Sequence, residues 1–121
     1  MRKRILLVED AKSLAKSIAE FLDMEGYEVA IVENGAYARA HLIEMSTDLI
    51  ITDLVMPEMD GFEFIRQVRN EAKYDSIPII LLSAETSKEK IAKVYDVGAN
   101  LVLPKPFDEE YLMQSIAKLL P

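Results

Sequence analysis

Short aliphatic runs without a polar interruption, Ile5-Leu6-Leu7-Val8, Leu49-Ile50-Ile51 and Ile79-Ile80-Leu81-Leu82, constrain this chain more than any other feature. They are too short for buried helices, and a strand with one face in water would alternate apolar with polar residues. An unbroken run is covered on both faces, as in a parallel sheet flanked by helices. The intervening segments supply those helices. Leu14, Ile18, Phe21 and Leu22 recur at helical spacing until Gly26. Glu28 to Val32 reads as a second strand with Val29 and Ile31 turned inward, and Asn34-Gly35 reads as a turn. Ala38, Leu42 and Met45 line a second helix, and the strand Asp48 to Thr52 then stops at Asp53.

The same alternation continues to the end of the chain. After a loop holding Pro57, Asp60 is an N-cap for a helix with Phe62, Ile65 and Val68 on one face. Ile79 to Leu82 is the fourth strand. Ser87 caps a helix that shows Ile91, Val94 and Tyr95 and is stopped by Gly98. Leu101-Val102-Leu103 is the fifth strand, ahead of Pro104, and Asp108 caps a final helix with Leu112, Ile116, Leu119 and Leu120 facing inward. Five strand-helix units with no linker or repeat predict one doubly wound α/β domain over 1–121. Strand order is not given by this pattern.

Composition excludes several classes of function. Half of the 121 residues are hydrophobic and 29% are charged, which suits a packed domain rather than a disordered chain. The formal charge of -7 repels phosphate backbones and anionic lipid, so direct nucleic-acid or membrane binding is not expected. There is no cysteine for disulfides or thiolate metal sites. The basic start leads into only the four apolar residues Ile5 to Val8, too few for a signal peptide or a membrane span, and a cytoplasmic location is expected.

Open α/β sheets bind ligands beyond the carboxyl ends of their strands. Glu9 and Asp10 follow the first strand here, Asp53 the third, Ser83 the fourth, and Lys105 the fifth by way of Pro104. Each residue also has an ordinary structural reading. Asp53 could form a turn, Glu9-Asp10 could charge and cap a helix, and Ser83 could begin a loop. Lys105 is harder to explain that way, because prolines on both sides fix its backbone. The combination points to chemistry. Converging carboxylates repel one another unless a hard cation lies among them, and Mg²⁺ with oxygen ligands fits. An aspartate nucleophile, a cation, a lysine charge and a serine hydroxyl together suit phosphoryl transfer to a carboxylate. His41, the single histidine, falls on a predicted helix away from the strand ends and is read as a surface or packing residue.

Ile5-Leu6-Leu7-Val8-Glu9-Asp10, Asp53-Leu54-Val55-Met56-Pro57-Glu58-Met59-Asp60-Gly61, Leu82-Ser83-Ala84 and Lys105-Pro106-Phe107 together resemble a bacterial response-regulator receiver domain, of the chemotaxis or sporulation single-domain type. The resemblance spans nearly the whole chain. It implies a flavodoxin-like sheet of five parallel strands in the order 2-1-3-4-5 with five helices. It implies that Asp53 is the phosphoacceptor, that Glu9, Asp10, Asp53 and the Val55 backbone carbonyl hold Mg²⁺, that Lys105 contacts the phosphoryl group, and that Ser83 is the switch hydroxyl. It also implies a cis Lys105–Pro106 bond, and a Gly61 required by tight backbone curvature. Two positions depart from the pattern. Val102 stands where many receivers have a switching aromatic residue, and Glu9-Asp10 replaces the more usual Asp-Asp pair.

Other functions fit less well. A Mg²⁺-dependent phosphohydrolase would carry a second Asp two residues after its nucleophile, where this chain has Val55. A flavodoxin-like electron carrier needs a phosphate-binding loop after the first strand, where Glu9 and Asp10 would repel the phosphate. A degenerate scaffold would not need Asp53, Lys105, Ser83 and the acidic pair together. The sequence ends at Pro121 directly after the last predicted helix. A single-domain, non-enzymatic regulator is therefore expected, phosphorylated by a sensor histidine kinase or phosphotransfer protein and acting on a downstream protein target.

Overall fold

The computed structural model describes residues 2–56, 58–85 and 87–121. Pro57 and Thr86 lie outside the described residues. The five strands are β1 (Arg4–Val8), β2 (Glu28–Val32), β3 (Leu49–Asp53), β4 (Ile79–Ser83) and β5 (Leu101–Pro104). The helices are α1 (Lys12–Met24), α2 (Gly35–Glu44), α3 (Gly61–Arg69), α4 (Lys88–Val97) and α5 (Glu109–Leu119). A short 3-10 turn at Ala72–Tyr74, not anticipated from the sequence, joins α3 to β4. The strands are parallel, in the order β2-β1-β3-β4-β5, which is the flavodoxin-like receiver topology.

Alternation along the interior strands feeds two cores. Leu6, Val8, Ile50, Ile79 and Leu81 pack with residues of α2, α3 and α4 such as Leu42, Phe64, Val68 and Val94. Ile5, Leu7, Leu49, Ile51, Ile80 and Leu82 pack on the other face against Ile18 and Leu22 of α1 and Leu112 and Ile116 of α5. These interior strands are the ones whose sequences run unbroken. The outer strands β2 and β5 are covered less completely, and their sequences are correspondingly mixed.

Several local expectations change. Asn34-Gly35 is a helix start rather than a free turn, because the Asn34 side chain accepts the Tyr37 N–H at 2.9 Å as N-cap of α2. Ile31 on the outer strand and Met45 just past α2 are exposed. Asp48 lies before β3, where its carboxylate accepts the Arg4 N–H at 2.7 Å. In α3 the fully buried aromatic is Phe64, while Phe62 is half-buried. Asp60, Ser87 and Asp108 cap their helices as expected, each accepting a backbone N–H of the first turn.

Candidate functional site

The ladder hydrogen bonds continue just past the strand ends and so fix the residues that follow. Glu9 N–H donates to Val32 O at 3.0 Å, Leu54 N–H to Leu82 O at 3.2 Å and Lys105 N–H to Ser83 O at 2.8 Å. This brings Glu9, Asp53, Ser83 and Lys105 to one edge of the sheet. Glu9, Asp10 and Asp53 each offer a carboxylate oxygen within 4.8 Å of the others, with Glu9 and Asp53 buried and Asp10 exposed. Lys105 Nζ lies 3.1 Å from Glu9 Oε1 and 3.2 Å from Asp53 Oδ1. The Lys105–Pro106 peptide bond is cis.

The electrostatics follow from this crowding. Burial pushes the Glu9 carboxyl above the usual carboxylate range and the Asp53 charge adds to that, while the Ala11 N–H and Lys105 offset part of the shift. The Ala11 N–H bond, 3.1 Å to Glu9 Oε2, also serves the start of α1, where Ala11 has no side-chain cap to give. Burial disfavours the Lys105 ammonium, but hydrogen bonds to Glu9 and Asp53 and their charges outweigh it, and the Lys105 pKa is raised. One ammonium among three carboxylates leaves a formal excess of two negative charges. A hard divalent cation with oxygen ligands matches both that charge and that donor set.

The remaining expected residues are placed individually. Ser83 is buried at the end of β4, and its hydroxyl accepts the Glu85 N–H at 2.9 Å, engaged with the loop after its own strand. Val55 lies two residues beyond Asp53 with its side chain exposed. Gly61 is glycine for a different reason than expected. Its φ is not positive; a Cβ there would overlap the Asp53 carbonyl oxygen and crowd Leu54 Cα, while its N–H donates to Leu54 O at 2.7 Å. His41 lies in the last turn of α2, away from the site. Thr52 was not singled out from sequence. It is completely buried next to Asp53 in β3, and its only sequence signal is a hydroxyl inside an aliphatic strand.

The family model for the response regulator receiver domain matches residues 5–117. The chain belongs to this family. Receiver domains are the signalling phosphoacceptors of two-component systems. Among solved structures, the receiver shares 36% identity and a TM-score of 0.92 with the chemotaxis response regulator CheY4 of Vibrio cholerae, covering 98% of this chain and 99% of that one. It is 37% identical over 120 residues to the probable transcriptional regulator ycf29 of Porphyra purpurea, covering 99% of this chain and 57% of that protein. It is 34% identical over 116 residues to the CAI-1 autoinducer sensor kinase/phosphatase CqsS of Vibrio cholerae, covering 95% of this chain and 17% of that protein. The receiver thus spans about half the length of the curated transcriptional regulator and a smaller part of the sensor kinase. No helix among the described residues is long and apolar enough to cross a membrane.

Proposed function

We propose that residues 1–121 act as one cytoplasmic receiver unit in which Asp53 accepts a phosphoryl group from a sensor histidine kinase or phosphotransfer protein. The observation that carries this reading is the bridge from Lys105 Nζ to both Glu9 and Asp53, inside a carboxylate cluster at the carboxyl edge of the sheet. An Asp53 carboxylate oxygen bonds to phosphorus as the P–N bond of a phosphohistidine breaks, and the departing imidazole takes a proton from water. With acetyl phosphate the P–O bond breaks instead and acetate leaves. Lys105 places its ammonium 3.2 Å from Asp53 Oδ1, where it offsets charge on the reacting carboxylate and the arriving phosphoryl group. Glu9, Asp10, Asp53 and the Val55 carbonyl would hold Mg²⁺, which when bound would supply neutralising charge to the transferring oxygens.

Ser83 is the hydroxyl that meets the phosphoryl oxygens, exchanging its bond to the Glu85 N–H for one to the new group. That exchange changes the loop leading into α4 and so the surface offered to a downstream protein target. Catalysis is limited to self-phosphorylation and slow autodephosphorylation, since Val55 supplies no second acid or base. The acidic charge of this unit disfavours direct contact with nucleic acid or membrane.

The test is intact-mass analysis after incubation with acetyl phosphate and Mg²⁺. The wild type gains the mass of one phosphoryl group and Asp53→Asn gains none, because asparagine lacks the nucleophilic charge. Equal gains in both proteins would overturn the assignment.

A further inference from the structure

Thr52 is wholly buried, at 0% exposure, in the strand Leu-Ile-Ile-Thr-Asp. A buried hydroxyl is costly unless it is hydrogen-bonded. The Thr52 hydroxyl donates to the carbonyl oxygen of Asp53 at 3.0 Å, with Met56 Sδ 4.0 Å from the same hydroxyl. The peptide unit gripped in this way is the one joining Asp53 to Leu54. At its other end the Leu54 N–H donates to Asp53 Oδ1 at 2.9 Å as well as to Leu82 O at 3.2 Å. Oδ1 is also the oxygen 3.2 Å from Lys105 Nζ. The tilt of one peptide plane therefore sets how the Asp53 carboxylate is presented, and Thr52 holds that plane by its oxygen. Gly61 leaves room for the same carbonyl, where any Cβ would overlap it.

We propose that Thr52 is a positioning residue for the Asp53 carboxylate, fixing the Asp53–Leu54 peptide so that Oδ1 stays between the Leu54 N–H and Lys105. The proposal rests on the reading of Asp53 as phosphoacceptor and adds a residue that acts through it.

Thr52→Val and Thr52→Ser separate positioning from packing. Valine keeps the shape and loses the hydroxyl, whereas serine keeps the hydroxyl and leaves a methyl-sized void. If Thr52 only fills space, valine is the better substitute in every measurement. With Thr52 as a positioning residue the two orders are opposite: urea unfolding finds Thr52→Val the more stable variant, but its initial rate of phosphorylation by acetyl phosphate falls roughly tenfold. Thr52→Ser stays within about twofold of wild type, since it retains the positioning bond. In metal-free protein the Leu54 amide loses hydrogen-exchange protection in Thr52→Val and keeps it in Thr52→Ser. A phosphorylated wild type with Thr52→Val reacting as fast as Thr52→Ser overturns the role of Thr52 alone. A wild type that gains no phosphate overturns the phosphoacceptor reading and this inference with it.

Discussion

Glu9 shows how a single side chain is set between two demands. It is almost completely buried beside Asp53, and burial is the main cause of its raised pKa, yet the same position lets it hold Lys105 and the start of α1. A carboxyl whose folded-state pKa lies above its unfolded value loses stability as it ionises. That loss begins as pH rises above the ordinary carboxylate range and is complete above the raised folded-state pKa. Glu9→Gln, which resembles the protonated form, should thus stabilise the metal-free protein at pH 7. The gain should vanish as pH falls below the ordinary carboxylate range. Urea unfolding in EDTA at several pH values checks this; a gain that grows on acidification would contradict the sign.

At the scale of elements, Arg69 at the end of α3 ties together parts of the chain that are distant in sequence. Its guanidinium donates to Gly98 O at 3.0 Å, Tyr74 O at 2.9 Å, Ile77 O at 2.8 Å and Asn100 Oδ1 at 3.0 Å. Asn100 Oδ1 in turn accepts the Ile79 N–H at 2.8 Å, so one planar fork joins the end of α3, the end of α4 and the start of β4. Gly98 has φ +129°, and its missing side chain also leaves room for the Arg69 stem. Arg69→Ala should destabilise the fold by about 2–3 kcal/mol, because several carbonyls lose a charged donor. Arg69→Lys should recover only part of this, since an ammonium cannot span the same acceptors. Denaturant midpoints of the two variants measure the difference. One turn before Gly98 in α4, the Tyr95 hydroxyl accepts the Val102 N–H at 2.9 Å. Val102 is therefore tied to α4 through its backbone.

For the molecule as a whole, a cation held by the carboxylate cluster would couple its binding to folding. An ion bound by the folded state alone stabilises it by about 2.7 kcal/mol at a hundredfold excess over Kd. Mg²⁺ should therefore raise the urea midpoint of the wild type. Asp10→Ala should abolish that shift while leaving the metal-free fold intact or slightly more stable, because it removes an exposed member of a mutually repelling group. An equal Mg²⁺ shift in both proteins would place the ion elsewhere.

The unbroken aliphatic strands, the helix caps at Asp60, Ser87 and Asp108, and the acidic, serine and lysine residues at strand ends were all legible in the sequence by itself. Their signals are local: each depends on a period, a cap type or a position relative to a strand end. Strand order entered only through the family resemblance, because pairing joins residues far apart in the chain. Tertiary structure alone decided the outward turn of Ile31, the half-buried place of Phe62 and the steric need for Gly61. It also decided the grip of Thr52 on the peptide after Asp53, and the reach of Arg69 and Tyr95 to backbone groups of other elements. For Thr52, Arg69 and Tyr95 the residue type is compatible with many surroundings, and its role depends on which carbonyl or N–H the fold carries to within about 3 Å of it.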